Sequence, residues 1–510
     1  MANTFAVSRN HLIFGLCLPL AVLLGYLLAE PLELGTQAVV VLVLVVLFAP
    51  LLMRWHHPLL VLSWNAALNP VFFPGRPYIW MVMSFISFFF AILNRSLSNS
   101  YRMLKVPPLT WSLLTLLGVV LVTALLTGGI GIRVLNSATH GGRGYFFILA
   151  AVVGYFALSA QPVPPHRAQW FVAMFFLSGL SSIISNLVYF AGPGFHVLYD
   201  LFPPEMVIDQ ARAEWALGDI PVRNFGVMVA ALAGYSFLLA RYGVAGVLDL
   251  ARPWRLMIFL VAVFCCMIGG YRSVLALTGL TFLILFWIEG LWRTRFLFIL
   301  LFLGLASSLA LAVWVDRLPL SVQRAVSFLP IKVDAVIKEA ANSSTEWRVE
   351  MWRSLWPEVP RYLFKGKGYA LSPQEVWQVQ EAAQRGHMRS ADAAATFGDY
   401  HNGLLSVAIP FGIYGLAAYL WFLGAGLWLL YHNLRYGDPA LRHINAFLFA
   451  AFAARIVHFF LIFGAFYTDL YHFTGIAGLS VALNGGVRRP APAVAAEESP
   501  EESMRYASTF

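Results

Sequence analysis

Long apolar segments recur along almost the whole chain, and their length constrains the fold more than any other feature. A helix that crosses the hydrocarbon core of a bilayer needs roughly 20 mainly apolar residues, and about fourteen segments near that length can be marked out. The 510 residues are 60% hydrophobic and only 12% charged, unlike a soluble globular protein. We therefore predict an all-α polytopic membrane protein with about 14 transmembrane helices. The segments run approximately over 11–29, 37–53, 58–74, 78–94, 109–127, 144–160, 168–191, 224–240, 255–270, 274–289, 296–315, 404–431, 443–463 and 469–485.

Lys and Arg residues in the connections indicate how these spans are oriented, because short cytoplasmic connections carry an excess of both. If the N-terminus is inside, the basic clusters fall in alternate connections, and the long polar segment 316–400 falls on the other side. We therefore predict that both termini are cytoplasmic and that 316–400 is extracytoplasmic, which is the periplasm in a Gram-negative cell. The basic residues assigned to the cytoplasm are Arg54, Arg95, Arg102, Lys105, Arg167, Arg241, Arg252, Arg255, Arg293, Arg295, Arg435, Arg442, Arg488 and Arg489.

This topology divides the chain into five regions. They are N-terminal transmembrane helices and an outer loop over 1–222, transmembrane helices that carry arginine motifs over 223–315, a large extracytoplasmic loop over 316–400, C-terminal transmembrane helices over 401–485, and a cytoplasmic tail over 486–510. The tail is rich in Ala, Pro and Glu, a composition that predicts disorder.

The net charge of +9 follows mainly from the orientation of the spans. A nucleic-acid-binding protein would need a basic patch on a soluble face, and the sequence shows none, so we predict no nucleic-acid partner. The three cysteines, Cys17, Cys265 and Cys266, lie in apolar segments, where a buried thiol is ordinary. We predict no disulfide, no metal site and no cofactor, since no metal-ligand spacing or phosphate-binding loop occurs either.

The large outer loop is expected to be partly helical. Ser343 and Glu346 have the spacing of a capping box, which predicts that a helix begins there. The apolar residues that follow have helical spacing, and three of them are tryptophans, which suit a membrane interface. These residues are Trp347, Met351, Trp352, Leu355 and Trp356.

Several arginines are predicted to lie on the outer face. Residues 255–289 as one helix would be about 50 Å long against a core of about 30 Å, so the chain must turn near Gly270, and this places Arg272 at the outer boundary. Arg223 precedes the next span upstream on the same side, and Arg348 and Arg353 lie in the outer loop. Each arginine can be read as an anchor to lipid phosphate or as part of an anion site, since guanidinium matches phosphate and stays charged.

A histidine stands where the outer loop meets a new span, in the sequence FGDYHNGLLSVAIPFGIYG. Asn402-Gly403 can be read as a simple turn signal. Alternatively, His401 lies near the N-terminus of a short helix that Pro410 and Gly412 interrupt. The positive end of a helix dipole disfavours imidazolium there and favours the neutral form, which a general base requires.

A further polar cluster lies near the C-terminus. Arg455 falls inside a predicted span, where a charge needs a partner, and we interpret it as half of an interhelical ion pair that fixes packing. The roles of His458, Asp469 and His472 are left open.

HNGLLSVAIPFGIYG resembles the signature of the O-antigen ligase and O-antigen polymerase superfamily. The matching residues are His401, Asn402, Leu405, Gly412 and Gly415. GGYRSVLAL and VRNFGVMVA, which contain Arg272 and Arg223, look like two arginine motifs of that superfamily, and 348–369 is similar to its outer-loop pattern. Together these cover roughly 220–430.

The resemblance implies a metal-independent, inverting glycosyltransferase of the membrane-embedded GT-C type, in a bacterial inner membrane with a periplasmic active site. The donor would be a glycan on undecaprenyl diphosphate and the acceptor a hydroxyl of lipid A-core or of another surface glycan. By the same resemblance, Arg223 and Arg272 would bind the donor diphosphate and His401 would be the catalytic base. We predict that Arg348 and Asn402 also bind substrate. Whether the protein is a ligase or a polymerase, which sugars it handles and its oligomeric state stay open.

A transporter or lipid flippase is the main alternative from another class. It predicts paired inverted halves that meet at the bilayer midplane. The chain shows no internal repeat and gathers its polar chemistry at one face. A noncatalytic partner in a glycan export complex is a second alternative, and it predicts that His401 is dispensable.

Overall fold

The computed structural model describes most of the chain. The described residues are 18–23, 25, 34–71, 73, 75–97, 104–131, 140–204, 207, 223–384 and 395–490. Most of the first predicted span, 11–29, and most of the predicted disordered tail lie outside them.

The described residues form helices and no strand; one isolated bridge joins His140 to Leu371. The α-helices are α1 Leu34–Ser63, α2 Ile79–Leu97, α3 Pro107–Leu126, α4 Gly142–Leu158, α5 Ala168–Leu177, α6 Ile183–Ala191, α7 Phe225–Val247, α8 Pro253–Ile268, α9 Arg272–Ile288, α10 Arg295–Trp314, α11 Leu320–Val326, α12 Ala335–Leu355, α13 Val359–Tyr362, α14 Pro373–Gln384, α15 Gly403–Tyr436, α16 Arg442–Leu461 and α17 Phe466–Asn484. In this part of the chain 8 helices are long and apolar enough to cross a membrane, and α4, α8 and α9 are shorter apolar helices. The all-α membrane fold is confirmed, and the number of about 14 spans stays a prediction.

One predicted pair of spans, 37–53 and 58–74, is not separated as expected. The single helix α1 runs through Arg54 and ends at Ser63. Two polar residues of the expected connection, 54–57, are accommodated inside the helix: His56 Nδ1 lies 2.8 Å from Ser87 Oγ, and His57 Nε2 lies 2.7 Å from the Leu158 carbonyl oxygen. Both imidazoles are buried and hydrogen-bonded, so the helix can continue through them.

The long helices pack around one large apolar core. α17 packs on α4, α15 on α3, α7 on α8 and α9 on α16. Three buried asparagines join α15, α16 and α17: Asn445 and Asn484 exchange amide hydrogen bonds of 3.0 and 2.9 Å, and Asn445 Nδ2 also donates to the Asn433 carbonyl. Such polar contacts fix helix positions in a membrane, where apolar packing alone discriminates little.

The predicted interruption of α15 is confirmed. Gly412 has φ 63° and ψ −161°, a conformation essentially restricted to glycine, and it divides α15 into a short first part and a long second part. The segment 363–369 packs against this break. Lys367 N–H donates to the Ile409 carbonyl over 2.9 Å, and Ile413 N–H donates to the Leu363 carbonyl over 2.7 Å. These hydrogen bonds hold segment 363–369 against the helix that follows His401.

Candidate active site

The predicted turn between α8 and α9 is present and brings two arginines together. Gly270 has φ 72° and Arg272 is the first residue of α9. The Arg223 guanidinium carbon lies 5.2 Å from the centre of the Tyr271 ring. A Cβ added at Gly270 would contact both Arg223 Cγ and Ser321 of α11, so the turn, the start of α7 and α11 meet here. We call this end of the helix bundle the site end.

The helix α12 lies over the turn and contacts Arg272 directly. Arg272 Nη2 donates to the Ala341 carbonyl over 2.7 Å and to Thr345 Oγ1 over 3.0 Å. Arg348 follows one turn later on α12, and its guanidinium carbon lies 5.7 Å from the Phe463 ring centre. Its Nε is buried and has no hydrogen-bond partner in the structure. Arg353, the other arginine singled out on this helix, is exposed.

The capping box predicted at Ser343 and Glu346 is wrong as a helix start. α12 begins eight residues earlier, at Ala335, because Asp334 Oδ1 accepts the Val336 N–H over 2.8 Å and caps the helix there. The predicted apolar face is confirmed at Met351 and Leu355, which are 1% and 6% exposed, whereas Trp356 is exposed.

A fourth arginine, Arg324, joins the cluster and was missed by the sequence reasoning. It lies on the short helix α11, one turn beyond Ser321, and is only 7% exposed. Burial first, and then repulsion from Arg223 and Arg272, lowers the pKa of Arg324 to about 10. The available signal was its position in LSVQRAV, an otherwise largely apolar stretch between two prolines.

The four arginines, Arg223, Arg272, Arg324 and Arg348, form what we call the arginine cluster. Burial lowers the pKa of Arg348, and repulsion from Arg272 and Arg223 lowers it further. The ion pairs Arg76–Asp200, His401–Asp399 and Arg455–Asp469 do not include a member of the cluster, and no carboxylate of the described residues forms an ion pair with one. Guanidiniums that repel one another in this way are chemically suited to bind a polyvalent anion.

The imidazole of His401 lies at the edge of this cluster. Its ring centre is 5.2 Å from the Trp347 ring and 5.1 Å from the Phe463 ring. Nε2 is 3.5 Å from Asp399 Oδ2, and Nδ1 is buried with no hydrogen-bond partner. Burial lowers the pKa of His401 below 6.5; the Asp399 carboxylate opposes this shift and the Arg348 charge adds to it. A largely neutral imidazole near pH 7 can accept a proton.

The backbone around His401 is held in an unusual conformation. His401 has φ 49°, in the left-handed region that residues other than glycine seldom occupy. The preceding Tyr400 is 2% exposed and packs with Met351, and Trp352 Nε1–H donates to the Tyr400 carbonyl over 3.0 Å. These contacts tie His401 to α12, the helix that also carries Arg348.

Asn402 begins the helix that follows. Its Oδ1 accepts the Leu405 N–H over 3.1 Å, so it is the N-cap of α15. This confirms the prediction that His401 stands at the start of a short helix. The prediction that Asn402 binds substrate stays a prediction.

The C-terminal polar cluster contains the predicted ion pair. Arg455 Nη1 and Asp469 Oδ1 are 3.3 Å apart across α16 and α17, and each side chain is 14% exposed. Asp469 also accepts the Ala465 N–H over 2.9 Å. His472 lies with Arg455 along a cavity of about 120 Å³ between the helices, and the His458 Nε2 is buried without a partner.

The fold and the site together define a polytopic helical membrane protein with a cationic, histidine-containing site at one end of its helix bundle. Residues 257–420 match the family model described as O-Antigen ligase, which confirms the resemblance to the O-antigen ligase and polymerase superfamily. The matched segment contains Arg272, Arg324, Arg348 and His401, whereas Arg223 lies upstream of it. A search of curated proteins finds no match.

Proposed function

We propose that this protein is an O-antigen ligase-like glycosyltransferase that moves a glycan from undecaprenyl diphosphate to an acceptor hydroxyl. The observation that supports it best is the position of His401 beside Arg348, with both side chains against the ring of Phe463. The His401 imidazole is suited to accept a proton, and the Arg348 guanidinium is suited to bind a phosphate oxygen. Both lie within a segment that matches the O-antigen ligase family model.

The arginine cluster serves the donor in this proposal. As the bond between the sugar C1 and the diphosphate oxygen breaks, negative charge grows on the departing diphosphate. Guanidiniums already fixed around that group stabilise the charge without reorganisation. Arg272 is fixed by its bonds to Ala341 and Thr345, and Arg223 by its packing on Tyr271. Stabilisation by arginines in place of a metal ion fits the proposed metal-independent reaction.

His401 serves the acceptor. The imidazole takes the proton of the acceptor hydroxyl as its oxygen forms the new bond to C1, and undecaprenyl diphosphate leaves from the opposite face of the sugar. A single displacement of this kind inverts the anomeric configuration. The Asp399 carboxylate, 3.5 Å from Nε2, stabilises the imidazolium that forms. Asn402 would contact the substrate through its side-chain amide nitrogen, since its oxygen caps α15.

We further propose that the site end faces the periplasm of a bacterial inner membrane and that both termini are cytoplasmic. The distribution of Lys and Arg between the connections supports this orientation. A polymerase of the same superfamily, which transfers the glycan to another lipid-linked repeat unit, is the alternative within the class. A flippase is favoured less, because the unpaired cations gather at one end of the bundle and not at its middle.

The test is a transfer assay with the purified protein in nanodiscs, a defined undecaprenyl-diphosphate glycan and two acceptors, lipid A-core and a second lipid-linked glycan. Product on lipid A-core supports a ligase and product on the lipid-linked glycan supports a polymerase. NMR of the new linkage is expected to show inverted anomeric configuration. Retained configuration, or lipid movement across vesicles with no transfer to either acceptor, would contradict the proposed reaction.

A further inference from the structure

The arginine cluster contains one more buried cation than the motifs account for. We propose that Arg324 is a fourth substrate-binding residue, which contacts the donor diphosphate together with Arg223, Arg272 and Arg348 and makes the site selective for a diphosphate over a single phosphate. The identity of the anion as the donor headgroup rests on the proposed function. The contribution of Arg324 to anion binding does not depend on the proposed function.

The position of Arg324 is unusual for a structural arginine. A guanidinium carries five N–H donors, and a structural one is normally surrounded by carbonyl or carboxylate oxygens. Among the described residues, the Arg324 side chain has neither an ion pair nor a hydrogen bond to a protein acceptor, although it is only 7% exposed. Its backbone carbonyl accepts from Ser327 Oγ over 2.9 Å, a contact that does not involve the guanidinium.

The neighbours of Arg324 are themselves cations. Its charge is repelled by Arg223, Arg272 and Arg348, and a Cβ at Gly270 would lie within 4 Å of both Arg223 Cγ and Ser321 of α11, so Arg223 and α11 flank the same turn. Arg348 presents a second unsatisfied donor, since its Nε is buried without a partner. Arg324, which is buried, and Arg348, which is half-buried, therefore both keep donors free for a ligand.

The amount of charge indicates the class of anion. Four guanidiniums carry four positive charges, and the nearby carboxylate that acts on the cluster is Asp399, which acts on Arg348. At an equal number of esterified ends, a diphosphate carries about one more negative charge than a phosphate and offers more oxygens to forked donors. The diphosphate is therefore the better match in charge and in number of acceptors.

A cluster of this kind repels itself when no anion is bound. Arg324→Gln removes one charge and keeps a polar side chain of similar length. The variant should therefore melt at the same temperature as the wild type or higher without ligand, and should lose most of the stabilisation that an added diphosphate gives. A purely structural arginine predicts the opposite: a lower melting temperature and an unchanged ligand response.

The experiment measures binding to the purified full-length protein in nanodiscs, without acceptor, by thermal shift and calorimetry. The probes are farnesyl diphosphate, farnesyl phosphate and inorganic diphosphate. We expect Arg324→Gln to weaken farnesyl diphosphate binding at least tenfold and to reduce the preference over farnesyl phosphate. Arg324→Lys keeps the charge but loses the forked donors of guanidinium. Its affinity for farnesyl diphosphate should lie between those of the wild type and of Arg324→Gln. Arg317→Gln, which changes an exposed arginine just before α11, should bind like the wild type.

Wild-type affinity in Arg324→Gln, or an equal loss for both farnesyl probes, would overturn the proposal. If the Gln variant does not fold, wild-type affinity in Arg324→Lys does the same. Tighter binding of farnesyl diphosphate than of inorganic diphosphate, with both dependent on Arg324, supports a lipid headgroup as the ligand; equal binding supports recognition of the anion alone. If the wild-type protein binds the diphosphate probes through Arg324 but transfers no glycan to either acceptor, the proposed reaction is contradicted and this inference stands.

Discussion

The Arg348 guanidinium and the His401 imidazole lie against the same ring, that of Phe463, at 5.7 and 5.1 Å from its centre. Arg348 is on α12 and His401 immediately precedes α15, so two parts of the chain meet at this ring. The proximity couples them electrostatically, because the Arg348 charge lowers the pKa of His401. The residue that we assign to the donor therefore also helps to keep the base neutral.

This coupling predicts a pH dependence with a definite sign. A general base must be neutral, so the transfer rate should fall as pH falls through the His401 pKa, which burial sets below 6.5. Arg348→Gln removes a charge that lowers this pKa and should move the acid limb to higher pH, by roughly half a unit to one unit. The measurement is the transfer rate against pH under saturating donor, and a limb that stays fixed would contradict the coupling.

Asp399→Asn should move the same limb in the opposite direction. The Asp399 carboxylate raises the His401 pKa, so its removal lowers the pKa and shifts the limb to lower pH. The maximal rate should also fall, because the imidazolium loses its counter-charge. Arg348→Gln and Asp399→Asn serve as controls for each other. If both variants move the acid limb in the same direction, the shifts do not have an electrostatic origin.

The break in α15 can be tested at Gly412. Gly412→Ala forces a side chain into a conformation that costs on the order of 1–3 kcal/mol, and the added Cβ would overlap the Leu363 carbonyl. We expect a lower melting temperature and a loss of transfer, because segment 363–369 would be displaced. Gly424→Ala is the matched control on the same helix, since a Cβ there meets nothing within 4 Å. A Gly412→Ala variant as stable and active as Gly424→Ala would refute the docking role.

The anchoring of His401 can be tested at Trp352. Trp352→Phe keeps an aromatic ring and removes the hydrogen bond from Nε1 to the Tyr400 carbonyl, which is worth about 1 kcal/mol. We expect the transfer rate constant to fall several-fold while donor affinity is nearly unchanged, because the base is less well positioned. Trp356→Phe, at a tryptophan that is 59% exposed, should behave like the wild type. A loss of affinity instead of rate would show that Trp352 acts on the donor.

Arg272→Lys tests the fork of this guanidinium. Arg272 Nη2 is held by two acceptors on α12, which leaves the rest of the fork for a phosphate. A lysine supplies a point charge but cannot satisfy both contacts and bind the anion in a bidentate manner. We expect at least a tenfold loss of transfer, measured as kcat/KM for the donor, and near-normal activity would argue against a diphosphate at this position.

The sequence predicted the parts of the site whose positions follow from topology. Arg272 could be placed because a single helix over 255–289 is too long for a bilayer, and His401 because a polar segment meets a new span there. Arg324 has a local signal, because it is a charge in a largely apolar stretch. Its burial in the cluster could not be predicted, since this depends on the contact of α11 with α12, two separate segments. The same limit applies to α1, where a connection was expected over 54–57. His56 and His57 are instead held inside the helix by Ser87 and Leu158, which are distant in the sequence.

The most direct test of the account is the transfer activity of a His401 variant whose fold and donor binding are intact. His401→Asn is the best choice, because asparagine tolerates the left-handed backbone that His401 adopts, and His401→Ala gives a second, smaller replacement. His166→Ala, at an exposed histidine, is the matched control. The account predicts that both His401 variants insert in the membrane, bind farnesyl diphosphate like the wild type and lose transfer at least a hundredfold. Wild-type transfer by either His401 variant would contradict it.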